Sequence, residues 1–312
     1  MSERIDEIAS AAREAAADAV WRQWSLLGAP VSGASPAPRS VIDPEALLLV
    51  SASIRSSERR LDDVLGWWAV AGSPLLSVQR TTTLLRRFPP SARAGVASFA
   101  IAAAAAGDGR WATLARTAGE ASLDSRGKRG GEPRLTPYPA LMLRLRAGFG
   151  VGVKADLLAI LLAMGGADAT VRSLSQASAY TPAAVRRAAQ EMEAAAFVRR
   201  THDRPVTYYV DPGRWTVLLE EPGGTAGNGQ GWRSFAQLFA FLAWVGAWAE
   251  EQRDASPYVA SSAARDLYEA HRSAFELNRI SVPDPTRSTG AEYLDAFAAT
   301  VRKVGEWLRA NL

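Results

Sequence analysis

One period governs almost the whole chain. Apolar residues recur three or four positions apart through alanine-rich stretches, and the two-residue alternation of a half-buried strand is nearly absent. A chain patterned in this way folds as helices that each bury one face. The first helix is predicted from near Glu3 to Leu27, carrying Ile5, Ile8, Val20, Trp21 and Trp24, and the segment GAPVSGASPAPRS ends it. Asp43, Pro44 and Glu45 read as an N-cap, a first-turn proline and an acid that complements the helix dipole, and they open a helix through EALLLVSASIR. Further helices are predicted at RRLDDVLGWWAVA, PLLSVQRTTTLLRRF and SARAGVASFAIAAAAA. The last hundred residues return to the same period in WRSFAQLFAFLAWVGAWAEEQRD, PYVASSAARDLYEAHRSAFELN and STGAEYLDAFAATVRKVGEWLRA. The first of these is apolar almost all round. From Phe235 to Ala249 it is short of the roughly twenty residues a bilayer span needs and it contains Gln237, so it reads as a buried helix or a subunit interface.

At 312 residues, with 48% hydrophobic and 22% charged residues, the chain has the composition of a globular protein of two domains or one large helical body. With no cysteine it has no disulfide framework, thiolate nucleophile or thiolate metal site. The opening MSERIDEIASAAREAAADAV is neither a secretory signal nor a spanning helix, so a cytoplasmic protein is expected, with no membrane partner. The formal net charge is only +4. Lysine occurs at 128, 154 and 303 alone, so the positive charge is nearly all arginine, suited to bidentate contact with phosphate or guanine. Arg110, Arg116, Arg126, Lys128, Arg129, Arg134, Arg144, Arg146 and Lys154 face only Asp108, Glu120, Asp124 and Glu132, which concentrates an excess of five between residues 107 and 154. The Gly- and Ser-rich stretch GEASLDSRGKRGGEPRLTP, with Lys128 and Arg129 at its centre, is therefore either a phosphate-contacting arm or a solvated linker.

Only residues 154 to 210 break the helical rule. KADLLAILLAM forms a compact helix that GGAD stops. Thr170 caps a short helix VRSLSQASA, Tyr180 plugs the turn, and Thr181-Pro182 launches PAAVRRAAQEMEAAA, where Val185, Ala189, Met192 and Ala196 share one face. After it, FVRRT and VTYYV flank the polar turn HDRP as two strands, with Val206, Tyr208 and Val210 alternating against Thr207 and Tyr209.

Residues 154 to 210 resemble the winged helix-turn-helix domain of MarR/ArsR-type transcriptional regulators, through a gapless match over TVRSLSQASAYTPAAVRRAAQEMEAAAFVRR. Ala179 and Ala196 stand where that family commonly has glycine; a positive φ would cost Ala196 about 1 kcal/mol, so the turn there is expected to be built differently, and Ser178 replaces a usual apolar residue. The resemblance implies a mainly α fold. Its centre is a winged helix-turn-helix domain with a two-stranded β-wing (151–213). An N-terminal helical domain (1–118) and a basic linker with a connecting helix (119–150) precede it. A C-terminal helical domain (214–312), a candidate for dimerisation, follows. It also implies a regulator that reads double-stranded DNA, with a recognition helix near 182–196 in the major groove. Ala183, Arg186, Arg187 and Gln190 then face the bases, Arg172, Ser173, Ser175 and the backbone at Thr181 meet phosphates, and His202 and Arg204 on the wing reach the flanking groove. One such domain reads a short half-site, so a homodimer is expected, joined through the Trp-rich helix from Trp232 or through the first helix. The alternative is a protein-interaction or antitoxin-like scaffold, whose winged helix and helical flanks bind a partner protein.

Catalysis is not expected. His202 and His271 are the only histidines, no metal-ligand spacing, GxSxG, Walker or Rossmann pattern occurs, and the glycine-rich GGTAGNGQG neither follows a predicted strand nor ends in Lys-Ser/Thr. No metal or cofactor is implied. Ten tryptophans give aromatic walls, notably at Trp67-Trp68 and Trp244-Trp248, for which core packing is the expected use.

Overall fold

The structure is a computed structural model that describes residues 2–29, 38–116, 131–219, 232–283, 288 and 291–312. Within them the chain forms helices α1 (Ser2–Leu26), α2 (Pro44–Ile54), α3 (Arg60–Ala71), α4 (Val78–Leu85), α5 (Pro90–Ala105) and α6 (Ala112–Arg116). Next come α7 (Leu141–Phe149), α8 (Val153–Ala163), α9 (Val171–Ser178), α10 (Pro182–Ala194) and α11 (Thr216–Leu219), then α12 (Phe235–Glu251), α13 (Pro257–Leu277) and α14 (Ala291–Asn311). Three short strands, β1 (Ala169–Thr170), β2 (Arg199–Arg200) and β3 (Thr207–Tyr209), make one antiparallel sheet in the order β1-β3-β2.

The helices start where their caps place them. Asp43 is extended and accepts from the Ala46 amide at 3.1 Å, so α2 begins at the proline that needs no donor. The helix expected from Pro74 begins instead at Val78, because Ser77 caps it by accepting from the Arg80 amide, and Ser73–Leu75 is left as a single 3-10 turn. Alanine and glycine let the helices approach closely. A Cβ on Gly95 in α5 would lie 2.6 Å from the Ala52 carbonyl oxygen of α2, so only glycine allows this crossing.

Two apolar cores result. The larger joins α1–α5 to α12–α14, so the first and last stretches of sequence pack into one body, with α1 lying against both α12 and α14. Trp24, Trp67 and Trp68 interlock at its centre: Trp24 meets Trp68 and Trp67 edge-on at ring separations of 5.1 and 6.4 Å, and Trp67 and Trp68 lie tilted at 5.3 Å. Of the two helices named in sequence as dimer interfaces, α12 is buried along most of its length, and α1 buries Ile5, Ile8, Val20 and Trp24 in the same body. The smaller core holds α7, α8, α9, α10 and the sheet, around Leu158, Leu162, Leu174, Val185, Met192 and Tyr208. No helix among the described residues is long and apolar enough to cross a membrane.

Candidate nucleic-acid interface

The smaller core presents a helical pair to solvent. Thr170 accepts from the Ser173 amide and starts α9; Ala179 ends it at a φ of +58°; Thr181 accepts from the Ala184 amide and starts α10. The turn is closed from within, since the Ser175 hydroxyl donates to the Tyr180 carbonyl at 2.6 Å. Val185, Ala189 and Met192 are buried as their spacing predicts, and Ala188 joins them. Ala196 does not: it is exposed beyond the end of α10, and its φ is +59°. The turn there keeps the left-handed geometry that glycine usually supplies, with Ala196 and Phe197 amides donating to Glu193 and Met192 carbonyls at 2.9 Å, so it is not built differently.

The sheet is larger than expected. Where the sequence predicts a two-stranded wing, β1 forms a third strand on the other edge of β3, pairing Ala169 with Tyr208 and Thr170 with Thr207. Two residues are too few for any alternation to be seen, which is why the sequence hides it. At the tip, Thr201 and Thr207 tie the β2–β3 hairpin together, hydroxyl to hydroxyl at 2.8 Å and Thr201 amide to Thr207 carbonyl at 3.0 Å.

Between the start of α9, the exposed face of α10 and the hairpin lies a hollow of about 390 Å³. Arg172, Arg186 and Gln190, each named from sequence, line it together with Arg200, which was not, and no carboxylate is among the lining residues. Arg200 falls on β2 with its guanidinium 3.3 Å from Glu193, an exposed pair that leaves its remaining donors open. The two-residue period of FVRRT was its only signal, and a strand of two residues does not say which arginine faces the hollow. Ala183 and Arg187 are exposed on α10 beside it, and His202 and Arg204 are exposed at the hairpin tip. The remaining sequence-named groups are engaged locally or turned away. Ser175 has its hydroxyl proton in the turn, Thr181 serves as the cap, and Ser173 pairs with the Thr170 hydroxyl at 2.9 Å while lining the opposite side of α9. Glu191 is held below the usual carboxylate range by its hydrogen bond and ion pair to Lys154, at 2.7 Å.

Behind the exposed face sits a second group of charges, wholly buried. Arg80 clamps Asp43 through two contacts of 2.6 Å, pairs with Glu45, and donates Nε to the Ser178 carbonyl at 2.8 Å. Arg146 bridges Glu45 (2.6 and 3.0 Å) and Asp156 (2.6 and 2.8 Å), and the Tyr180 hydroxyl donates to Asp156 at 2.9 Å. Burial works against every charge here, yet Arg146 and Arg80 overcome it and hold Glu45 down to about 2. The same balance raises both arginines. Burial, followed by the Asp156 charge, pushes the Tyr180 phenol up. The α9–α10 turn is thus bolted to α2 and α4 of the larger body. Ser178 is fully buried; its backbone carbonyl is a ligand of Arg80, and its hydroxyl, which an apolar residue would lack, accepts from the Tyr180 amide at 3.5 Å.

This cluster and its neighbours also take up part of the charge excess counted between residues 107 and 154. Arg146 is in the interior, Arg110 pairs with Asp108, Arg144 donates to the carbonyls of Thr136 and Leu218, and Lys154 pairs with Glu191. Lys128 and Arg129 lie outside the described residues, as does GGTAGNGQG. Among the described residues no group of histidine and acidic side chains is placed to hold a metal ion. No family model matches the chain, and no curated protein or solved structure shows significant similarity to it.

Proposed function

We propose that the protein is a sequence-specific double-stranded DNA-binding regulator of transcription, using a winged helix-turn-helix in which α10 is the recognition helix and the β2–β3 hairpin the wing. The observation that carries this reading is the convergence of Arg172, Arg186, Gln190 and Arg200 on one hollow without a carboxylate, on the outer face of a capped two-helix unit. Arg186 and Gln190 stand one helical turn apart on the same face, so both reach a major groove at once. A guanidinium suits guanine O6 and N7, and a primary amide suits adenine N6 and N7. Arg172 and Arg200 flank them from α9 and the hairpin, the positions from which phosphates on either side of a groove are held. Arg187, Ala183, His202 and Arg204 extend the same surface.

A single unit of this size reads a half-site, and the reading therefore includes a cytoplasmic homodimer on a two-fold site.

The test is a mobility-shift titration on duplexes enriched from a random pool, run at several salt concentrations. The logarithm of affinity should fall with the logarithm of salt at a slope of roughly −0.9 per phosphate neutralised. Arg186→Ala should relax base preference at one position, while Arg172→Ala should weaken all sequences alike. A chain that enriches no sequence, or an Arg186→Ala/Arg187→Ala variant with unchanged affinity, would overturn the reading and leave the unit as a protein-binding surface.

A further inference from the structure

A cleft of about 670 Å³ separates the two bodies on the side of α9 away from the arginine-lined hollow. One wall comes from α8 and α9, with Met164 and Leu174; the other comes from the approach to α12, the end of α13 and the end of α14, with Trp232, Arg233, Arg279 and Trp307. Two indoles and two guanidinium groups share a lining that contains no acidic residue, so neither cation is matched by a carboxylate within the cleft. Among the described residues the Arg233 Nε and Trp232 Nε1 groups are buried without a hydrogen-bond partner, which a folded chain seldom tolerates in two adjacent residues. Arg279 is held at a φ of +53°, at the end of α13, where its amide donates to Glu276 and the next amide donates to Phe275. Glycine is the usual residue in that turn, so the arginine is present despite its backbone.

We propose that this cleft binds an organic anion with a flat apolar body, its acid group taken by Arg233 and Arg279 and its body lying against Trp232 and Trp307. The volume lies in the range of small-molecule sites, roughly 300 to 1,000 Å³. An inorganic anion would satisfy the guanidinium groups and leave the indoles, Met164 and Leu174 facing water; a neutral apolar molecule would do the reverse. Only a molecule with both parts uses the whole lining. The inference stands apart from the DNA reading, since no residue of the arginine-lined hollow takes part.

The experiment uses the full chain and two fluorescent probes with nearly the same aromatic body. 8-Anilinonaphthalene-1-sulfonate carries an anionic group, and N-phenyl-1-naphthylamine lacks it. The sulfonate should bind saturably at one site per chain, with energy transfer from tryptophan. Arg279→Gly suits the left-handed backbone and keeps the fold, and it should weaken the sulfonate roughly tenfold, as expected for loss of one charge-assisted hydrogen bond. Arg233→Met/Arg279→Gly should weaken it further, while neutral-probe affinity changes less than about twofold in either variant. Absence of saturable sulfonate binding, sulfonate affinity indifferent to both substitutions, or equal weakening of the neutral probe would each overturn the proposal.

Discussion

Arginine does two opposite jobs in this molecule. Arg80 and Arg146 have no exposed side-chain surface and are surrounded by Asp43, Glu45, Asp156 and backbone carbonyls. Some residues away, across the α9–α10 turn, Arg172, Arg186 and Arg187 stand in solvent, and Arg172 and Arg186 look into a hollow that offers them no carboxylate. The difference lies in how completely each guanidinium is answered from within the chain. An arginine whose donors are met by the fold serves the fold, because leaving the interior would strand buried carboxylates. An exposed one facing no acid keeps its donors for solvent and, on the reading proposed above, for DNA. Net charge cannot make this distinction: Arg146 counts towards the excess of five between residues 107 and 154, yet it is an internal bolt and adds nothing to a charged surface.

The most severe way to break the comparison is to remove one internal partner. Arg80→Met leaves Asp43 and Glu45 facing each other without their shared cation and deprives the Ser178 carbonyl of its donor. A loss of about 3 to 5 kcal/mol in stability is expected by urea denaturation. A loss below about 1 kcal/mol, the range of surface pairs, would mean that water reaches the cluster and that the two sets of arginines are alike.

Acid tests the same cluster through its carboxylates. Glu45 has a folded-state pKa of about 2, well below its unfolded value near 4.5, so its contribution is fully present above about pH 4.5 and disappears as pH falls towards 2. The shift corresponds to on the order of 3 kcal/mol. His271 shapes the range above. Burial beside Phe241, at a ring separation of 5.8 Å, lowers it to about 4, so the unfolded chain takes up a proton that the folded chain refuses. Stability should therefore begin to fall near pH 6.5 and continue to fall until about pH 4. Melting curves across that range should flatten in His271→Leu while the steeper loss below pH 4.5 persists. A variant with the same slope as the parent between pH 6.5 and 4.5 would show that His271 is not the group titrating there.

On the exposed side the expected effects are smaller and of a different kind. Arg186→Ala should leave the melting temperature within about a degree of the parent, since surface substitutions away from special features change stability little, and should cost about 1 to 3 kcal/mol in binding to the preferred duplex. Arg80→Met and Arg186→Ala thus separate two readouts, stability and recognition. An Arg186→Ala variant that lost stability as Arg80→Met does would erase the comparison.

The same contrast explains what the sequence could reveal. Caps and periods are local, so Asp43, Thr170 and Thr181 announced their helices, and Val185, Ala189 and Met192 announced the buried face of α10, leaving Arg186 and Gln190 outward. The charge cluster is assembled from residues 43, 45, 80, 146, 156 and 180, on segments that meet only in the folded chain. Asp43 and Glu45 looked like a cap and a dipole-matching acid, which Asp43 also is, and Tyr180 looked like an apolar plug while its hydroxyl holds Asp156. Ala196 failed in another way. Its left-handed backbone is imposed by the end of α10 and the entry to the hairpin, a local strain of about 1 kcal/mol that the surrounding packing outweighs.

The finest test of the proposed reading concerns an acid on the exposed side of α10. Glu191 follows Gln190 on α10 and is exposed, but it is tied at 2.7 Å to Lys154 at the start of α8, and Arg187 also helps to lower its pKa. In the free protein the pair hides one negative and one positive charge. Next to a polyanion the carboxylate is repelled and the ammonium is drawn towards phosphate, so Glu191→Gln should tighten binding to every duplex by a similar small factor, less than about tenfold, and steepen the salt dependence by roughly one phosphate as Lys154 is freed. Base preference should not change, because Arg186 and Gln190 are untouched. The melting temperature should not change either, since an exposed ion pair contributes little to the fold. Tightening confined to one sequence would mean instead that Glu191 itself reads a base, as an acceptor for cytosine N4, and the discriminating face of α10 would then extend one residue further than the hollow defines.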